Sequence, residues 1–228
     1  MSNNKVLKRE IIQTDDGSHS LFVPSLNENY HSTHGAKQEA EHIFIKDALA
    51  YNAENKQVLN VLEIGFGTGL NAFLTLQYSQ NNDLEVHYYG VEKYPVSEIE
   101  YIQLNYAAGD KMLKKQFVAL HNAAWGQEFE ISHQFYIKKI QSDFREMKLP
   151  TDYFDVVYFD AFGPDVQPEL WSVDIFKNIY QSMKNGGVLT TYSVKGDVRR
   201  AMKSVGFEVK KIPGPPGKRE ITRAVKAI

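Results

Sequence analysis

The stretch from Val61 to Asn71 reads V-L-E-I-G-F-G-T-G-L-N, an apolar strand that runs directly into three glycines at alternate positions. Because glycine has no Cβ, such a turn can adopt positive φ and lets a ligand pack against bare peptide. A helix that follows the turn presents free N–H groups in its first turn. The pattern predicts the first βα turn of a nucleotide-binding α/β fold, with the ligand outside the carboxyl end of the strand.

The spacing of these glycines is G-x-G-x-G, whereas a dinucleotide-binding turn has G-x-G-x-x-G. Glu63 stands two residues before the first glycine, where a carboxylate would repel a pyrophosphate and suit a cationic ligand. E-x-G-x-G-x-G between a strand and a helix resembles motif I of the class I methyltransferases, which bind S-adenosyl-L-methionine. The predicted donor-binding residues of the loop are Glu63, Gly65, Phe66, Gly67, Thr68, Gly69 and Asn71.

The composition is that of an ordinary globular protein. The chain has 228 residues, of which 43% are hydrophobic and 24% charged, and this length predicts one α/β domain with a small appendage. We expect an N-terminal hairpin extension over residues 1–35 and a methyltransferase domain over 36–228. No apolar run approaches the roughly 18 residues of a membrane span, and the N-terminus does not resemble a signal peptide, so we expect a cytoplasmic protein without membrane association.

The sequence contains no cysteine. This excludes disulfides, thiolate metal sites and thiol catalysis, and we expect no metal cofactor. Enzymes that methylate the C5 carbon of a pyrimidine commonly attack the ring through a cysteine. If this chain transfers a methyl group, the acceptor is therefore expected to be a heteroatom.

Strand and helix patterns alternate along the chain. Two β-prone stretches around D-D-G-S predict a hairpin within residues 8–24, and helical spacing predicts a helix over 36–53. Further strands are predicted at 58–64, 86–92, 154–160 and 186–193, with short strands paired within 128–141 and a final pair after residue 206. We predict an α/β class I methyltransferase Rossmann-like fold, with a seven-stranded mostly parallel sheet and an antiparallel last strand.

Carboxylates stand at the predicted ends of three strands. Glu92 ends the second strand of the core, where it can accept hydrogen bonds from both ribose hydroxyls. Asp143, followed by Phe144, looks like the adenine-binding position of this fold, although Asp143 can equally cap the next helical turn. Asp160 follows F-D-V-V-Y-F, at the strand end that faces the sulfonium methyl in the class I fold.

The sequence after this strand is D-A-F-G-P-D, not the [D/N]-P-P-[Y/F] of many enzymes that methylate exocyclic base amines. A side-chain acceptor suits an alkyl amine, whose pKa near 10 leaves only about one molecule in a thousand neutral at pH 7. Asp160 is therefore the predicted catalytic residue, orienting the amine and accepting its proton directly or through water.

Three motifs together resemble a narrower family. E-I-G-F-G-T-G-L-N, D-A-F-G-P-x-x-x-P-E-L-W and the late P-G-K-R-E are similar to the MnmD methyltransferases and to the methyltransferase half of bifunctional MnmC. The resemblance implies methylation of 5-aminomethyl-(2-thio)uridine at the tRNA wobble position, nucleotide 34, with S-adenosyl-L-methionine as donor. It also implies an aminomethyl substrate supplied by separate modification enzymes, since the bifunctional relatives carry a flavin-dependent domain for that step.

Charge is unevenly distributed over a chain of formal net charge −2. From Lys195 onward there are ten basic and three acidic residues, which indicates a face for the anticodon stem-loop of tRNA, or simply solvated surfaces. The predicted substrate contacts are Phe162, Gly163, Pro164, Trp171, Tyr192, Lys218 and Arg219, and each aromatic is also a candidate core residue. Glu39, on the upstream helix, either approaches the site or is a solvated glutamate on the helix face, and we favour the solvated position.

Three alternatives remain at this point. An aminopropyltransferase resembling spermidine synthase also uses an aspartate after the fourth strand, and a small-molecule amine methyltransferase would use the same site. A catalytically silent RNA-binding protein is the non-enzymatic alternative. The glycine spacing and Glu63 disfavour an NAD-dependent oxidoreductase.

Overall fold

A computed structural model describes residues 7–227, which contain eleven strands in two sheets. In chain order the strands are β1 (Glu10–Gln13), β2 (His19–Val23), β3 (Glu28–Asn29), β4 (Val58–Ile64), β5 (Glu85–Glu92), β6 (Glu128–Ser132), β7 (Phe135–Gln141), β8 (Phe154–Phe159), β9 (Met183–Thr191), β10 (Phe207–Pro213) and β11 (Glu220–Lys226).

Seven α-helical segments accompany them. They are α1 (Ala36–Ala40), α2 (Tyr51–Ala53), α3 (Leu70–Asn82), α4 (Glu98–Tyr101), α5 (Lys111–Asn122), α6 (Val173–Ser182) and α7 (Gly196–Ser204). A π-helical segment, Glu41–Ala50, joins α1 to α2, so the predicted helix over 36–53 is continuous. Short 3₁₀ turns lie at Phe144–Glu146 and Pro168–Trp171. None of the helices within residues 7–227 is long and apolar enough to cross a membrane.

The main sheet has eight strands in the order β10-β11-β9-β8-β4-β5-β7-β6. Its five central strands are parallel, and β11 is antiparallel to β9 and β10, as predicted. The predicted fold class is confirmed, with one strand more than the seven expected. The addition is β6, which pairs antiparallel with β7 as an edge hairpin and so extends the sheet without a crossover helix.

The central strands are hydrophobic because helices cover both faces of the sheet. Every residue of β8 and the last four residues of β4, Val61 to Ile64, are buried. The chain leaves β4 toward β5 on one side and β8 lies on the other, so a topological switch point falls between β4 and β8. Open α/β sheets bind ligands at that point, beyond the carboxyl ends of the strands.

The N-terminal extension forms a three-stranded sheet, β1-β2-β3, where a hairpin was predicted. It packs on the main domain: Leu21 is fully buried in the core, and the backbone N–H of His19 donates to the Asn105 side chain at 2.8 Å. Residues 1–6 of the predicted extension, and residue 228, lie outside the described chain. The domain boundary at residue 35 stays a prediction.

Candidate active site

The glycine loop between β4 and α3 lies against the end of β8. Gly65 has φ of +94°, and a Cβ placed on it would lie 2.6 Å from the carbonyl oxygen of Asp160. Gly67 has φ of +49°, and its Cβ would lie 3.0 Å from the ring of Tyr30. A side chain at either position would therefore meet protein atoms, while both glycines line the cleft described below and their donor contacts stay a prediction. These two glycines are required because two other segments of the chain approach the loop closely.

Glu92 ends β5 beside this loop. One of its carboxylate oxygens accepts the backbone N–H of Gly67 at 3.0 Å, and the other accepts that of Tyr94 at 2.7 Å. Each carboxylate oxygen has two acceptor sites, so both oxygens can still accept from a diol. Glu92 also lines the cleft described below, as the predicted ribose contact requires.

Asp143 follows β7 and caps the 3₁₀ turn that begins at Phe144, accepting the backbone N–H of Arg145 at 3.0 Å. It also forms ion pairs with Lys93 and Arg145, and these bonds hold the pKa of Asp143 well below its usual range. The capping role is confirmed. The adenine contact stays a prediction for Asp143 and Phe144, which both line the cleft.

One amide joins the carboxylates of β4 and β8. The side-chain nitrogen of Asn71 donates to Glu63 at 2.8 Å and to Asp160 at 2.9 Å. Tyr88 donates to the other oxygen of Glu63 at 2.7 Å, and Glu63 is fully buried. Burial raises the pKa of Glu63 well above the usual range. Glu63 is thus buried outside the cleft lining and bonded to Asn71, which does line the cleft, and its contact with the donor stays a prediction.

The pKa of Asp160 is raised to about 8. Burial is the main cause, and the negative charge of Glu39 adds to it. The hydrogen bond from Asn71 and the positive charge of Lys218 act in the opposite direction. A carboxyl group with a pKa near neutrality can exchange a proton with a bound substrate under physiological conditions.

Glu39 lines the cleft, so the favoured expectation of a solvated glutamate is wrong and the alternative, that it approaches the site, is correct. It is only 9% exposed, lines the cleft, and accepts the backbone N–H of Ser32 at 2.8 Å. It also forms an ion pair with Lys218 across the site. The sequence does contain an indication of this burial. Glu39 is three residues from Ala36 and four from Ile43, so it shares a helix face with two apolar residues, and both of them are fully buried.

The N-terminal segment supplies a wall of the cleft that the sequence did not reveal. The ring of Tyr30 packs edge-on against Phe162 with centroids 5.2 Å apart, and its hydroxyl accepts from Arg9 at 2.7 Å. His31 shares a hydrogen bond with Ser20 at 2.9 Å. Burial lowers the pKa of His31 to about 4, so its imidazole is neutral at neutral pH.

Most of the predicted site residues line a single cleft. Those that do are Gly65, Phe66, Gly67, Thr68, Asn71, Glu92, Asp143, Phe144, Asp160, Phe162, Gly163, Tyr192 and Lys218.

Five predicted residues lie outside the cleft lining, and they are Glu63, Gly69, Pro164, Trp171 and Arg219. Trp171 is a core residue that supports the site, since its indole N–H donates to the Phe162 carbonyl at 2.9 Å. A Cβ on Gly69 would lie 2.9 Å from the imidazole of His121. Arg219 is exposed, whereas its neighbour Lys218 turns into the cleft.

The cleft has a volume of about 630 Å³ and extends from Asp143 past Glu92 and the glycine loop to Asp160 and Glu39. It crosses the ends of β7, β5, β4 and β8, which are three strand spacings, or about 14 Å. Phe144, Glu92 and Asp160 therefore follow one another along the cleft, in the order of the predicted contacts with adenine, ribose and the methyl group. Within residues 7–227 no three His, Asp or Glu side chains are grouped as ligands for a metal ion.

The sheet order, the glycine loop and the carboxylates at successive strand ends define a class I methyltransferase. A family model described as S-adenosyl-L-methionine-dependent methyltransferase matches residues 104–227, more than half of the chain. The chain belongs to this family, and its cofactor is S-adenosyl-L-methionine.

Known proteins extend the comparison. The chain is similar to the tRNA 5-methylaminomethyl-2-thiouridine biosynthesis bifunctional protein MnmC of Paracidovorax citrulli (strain AAC00-1), with 31% identity over 217 residues, 89% of this chain and 33% of that protein. It thus spans about a third of the length of the curated relatives it matches. The crystal structure of MnmC2 from Aquifex aeolicus superposes with a TM-score of 0.78 at 26% identity, covering 98% of this chain and 72% of that one.

A third comparison concerns the fold alone. Spermidine synthase from Thermotoga maritima has a TM-score of 0.57 at 16% identity, and the match covers 97% of this chain and 75% of that one. The aminopropyltransferase considered from the sequence therefore shares the architecture of this chain.

Proposed function

We propose that this chain transfers a methyl group from S-adenosyl-L-methionine to the aliphatic amine of 5-aminomethyl-(2-thio)uridine at the wobble position of tRNA. The product would be 5-methylaminomethyl-(2-thio)uridine. The observation that carries the proposal is the carboxyl group of Asp160, which lies beside the glycine loop in the cleft with a pKa near 8. The names of the MnmC relatives supply the identity of the modified nucleoside.

When bound, S-adenosyl-L-methionine supplies an electrophilic methyl carbon, to which the amine nitrogen bonds as the methyl–sulfur bond breaks. Asp160 orients the amine and accepts one N–H proton on a carboxylate oxygen. An alkyl ammonium has a pKa near 10, and an ordinary carboxyl near 4. The pKa of Asp160 is about 8, so the difference between the pKa of the ammonium and that of the carboxyl group falls from about 6 to about 2 units. This makes proton transfer from the ammonium to Asp160 less unfavourable by roughly 5 kcal/mol.

The donor would be held by groups that the fold already positions. Glu92 is fixed by two backbone N–H groups and faces the cleft, where a ribose diol would lie. Phe144 and Asp143 line the far end, where an adenine would lie. Holding donor and amine in line supplies much of the rate by proximity, and the proton transfer to Asp160 adds to it.

The RNA would approach from the edge of the sheet formed by β10 and β11. Exposed basic residues lie on this edge and on α7, which packs against it, among them Lys203, Lys210 and Lys211. Lys218, in the loop between β10 and β11, joins this edge to the cleft. A phosphate backbone is the natural partner of such a surface. The aminomethyl substrate would be supplied by separate modification enzymes, and a cytoplasmic location is part of the proposal.

The proposal is tested by methyl transfer to tRNA that carries 5-aminomethyluridine, with unmodified tRNA and a small alkyl amine as alternative acceptors. We expect transfer to the modified tRNA, and a loss of at least about 100-fold in kcat for Asp160→Asn, because a positioned base contributes roughly 10²–10⁴. Donor affinity should change little. Asp165→Asn, on the exposed loop after β8, is the matched control and should retain activity.

Transfer to the small amine and not to the tRNA would reject the RNA assignment and favour a small-molecule methyltransferase. Transfer of an aminopropyl group from the decarboxylated donor would favour the spermidine-synthase alternative. RNA binding without any transfer would favour the silent RNA-binding protein.

A further inference from the structure

Lys218 lies inside a site built for a cation. Its ammonium forms an ion pair with Glu39 and lies 4.6 Å from the ring centroid of Tyr192. The charges of both Lys218 and Glu39 act on the nearby Asp160. One carboxylate and one aromatic face therefore contact this ammonium, and Lys218, Glu39, Tyr192 and Asp160 all line the same cleft.

The Glu39 carboxylate is nearly buried, so leaving it without a positively charged partner is unfavourable. Its side chain is 11% exposed, and its other oxygen already accepts the N–H of Ser32. Removing the partner of a buried charge is strongly unfavourable, commonly by several kcal/mol. Movement of Lys218 away from Glu39 is therefore less unfavourable when another cation takes its place.

The substrate of the proposed reaction carries such a cation on a methylene arm. We propose that Glu39 binds the ammonium group of the substrate, and that Lys218 is an internal cation which the substrate displaces. This inference rests on the proposed function and adds to it the residue that selects a charged acceptor.

The position of Lys218 in the chain permits the exchange. It lies in the loop between β10 and β11, and its side chain remains 28% exposed at the edge of the cleft. A lysine stem is long and flexible, so its ammonium can leave Glu39 for solvent or an RNA phosphate without movement of the sheet. Glu39, in contrast, is fixed on a buried helix face.

The experiment compares two anticodon stem-loop RNAs that carry 5-aminomethyluridine or the uncharged 5-hydroxymethyluridine at the wobble position. Their Kd values are measured with S-adenosylhomocysteine bound, so that no transfer occurs. The readout is the ratio of the two Kd values, because any weaker binding of the phosphates affects both RNAs equally and leaves the ratio unchanged. For the wild type we expect the charged RNA to bind at least about 10-fold more tightly.

Glu39→Gln should reduce this preference to less than about 3-fold, while Lys218→Met should increase it at least about 3-fold because the internal competitor is removed. Glu41→Gln makes the same chemical change at an exposed glutamate outside the cleft lining, which is also ion-paired with a lysine, Lys37, and should leave the preference as in the wild type. If Glu39→Gln does not fold, Lys218→Met decides the question, because it alters a partly exposed loop side chain.

An unchanged preference in Glu39→Gln, or an unchanged or reduced one in Lys218→Met, would overturn the inference. So would a wild type that binds both RNAs equally. Transfer by the wild type, measured with S-adenosyl-L-methionine in place of the product, tests the proposed function separately. Absent transfer with the expected changes in preference would reject the reaction but retain Glu39 as the ammonium site.

Discussion

Asn71 connects two carboxyl groups through one amide nitrogen, which donates to both Glu63 and Asp160. Its side-chain oxygen is buried and has no hydrogen-bond partner among residues 7–227. The amide can therefore act on Asp160 only as a donor in this arrangement, and donation to a carboxylate favours the charged form. Asn71 thus opposes the effect of burial and keeps the pKa of Asp160 within reach of neutral pH.

Replacing Asn71 by Ala should move the acidic limb of the pH–rate profile to higher pH. Loss of the donated bond raises the pKa of Asp160 above its value of about 8, by roughly one unit for a bond worth about 1.4 kcal/mol. Because a protonated Asp160 cannot accept the proton of the amine, activity should fall near pH 7 and recover toward about pH 9.

The profile should be recorded as kcat/KM at a fixed donor concentration for wild type, Asn71→Ala and Asn82→Ala. Asn82 is exposed at the other end of α3, so its replacement should leave the acidic limb of the pH–rate profile unchanged. A uniform loss of activity at all pH values in Asn71→Ala would show that Asn71 does not control the ionisation of Asp160.

At the scale of elements, the loop after β4 is shaped by its neighbours. The Gly65 backbone lies against the carbonyl of Asp160 at the end of β8, and the ring of Tyr30 covers Gly67. The N–H groups of Gly65 and Phe66 both donate to the carbonyl of Val91 in β5, at 3.0 Å each. The loop therefore holds the ends of three strands in fixed relation, and the position of Asp160 depends on it.

Gly65→Ala should lower the free energy of unfolding more than Gly186→Ala does. Both glycines have positive φ, +94° and +76°, but a Cβ on Gly186 meets nothing within 4 Å. The control should lose about 1 kcal/mol of unfolding free energy from the backbone conformation alone. Gly65→Ala should lose at least about 3 kcal/mol, because the methyl group also displaces the end of β8. Urea unfolding of both variants measures the difference, and equal losses would show that a methyl group at position 65 does not strain the end of β8.

At the scale of the whole molecule, basic residues are concentrated at one edge of the main sheet. Basic residues are concentrated from Lys195 onward, in α7, β10 and β11. The opposite edge is β6, and α5 lies beside it. Because the cleft opens at the carboxyl ends of the strands, an RNA bound along the β10 edge reaches the acceptor end of the cleft first.

Replacing Lys203 and Lys210 together by Ala should weaken binding of the tRNA and reduce its salt dependence. Each phosphate that the protein no longer neutralises reduces the magnitude of the slope of log K against log salt by about 0.7 to 0.9, so for two lysines we expect a change of up to about 1.8. The control replaces Lys111 and Lys114, which are also exposed but lie on α5. Equal effects of the two pairs in a salt titration would contradict a binding face at the β10 edge.

The sequence determined the order of the elements and the place of three strand-end carboxylates. The apolar run from residue 58 to residue 64 predicted β4 at its observed bounds, and the three alternating glycines predicted the loop from Gly65 to Gly69. Both predictions succeeded because they depend on residues that are close together in the chain. Parallel strands present their carboxyl ends at one edge, so the sequence alone predicts that Glu92 and Asp160 lie close together, and both line the same cleft.

Only the tertiary structure decided which side chains face the cleft. Glu39 and Lys218 are 179 residues apart and meet because the loop between β10 and β11 folds over α1. Glu63 turned out to be buried under Asn71 and Tyr88, and Arg219 to lie outside the cleft lining. Local periodicity specifies a helix or strand, but exposure of a charge depends on the distant segment packed against it, and a single sequence does not contain that pairing explicitly.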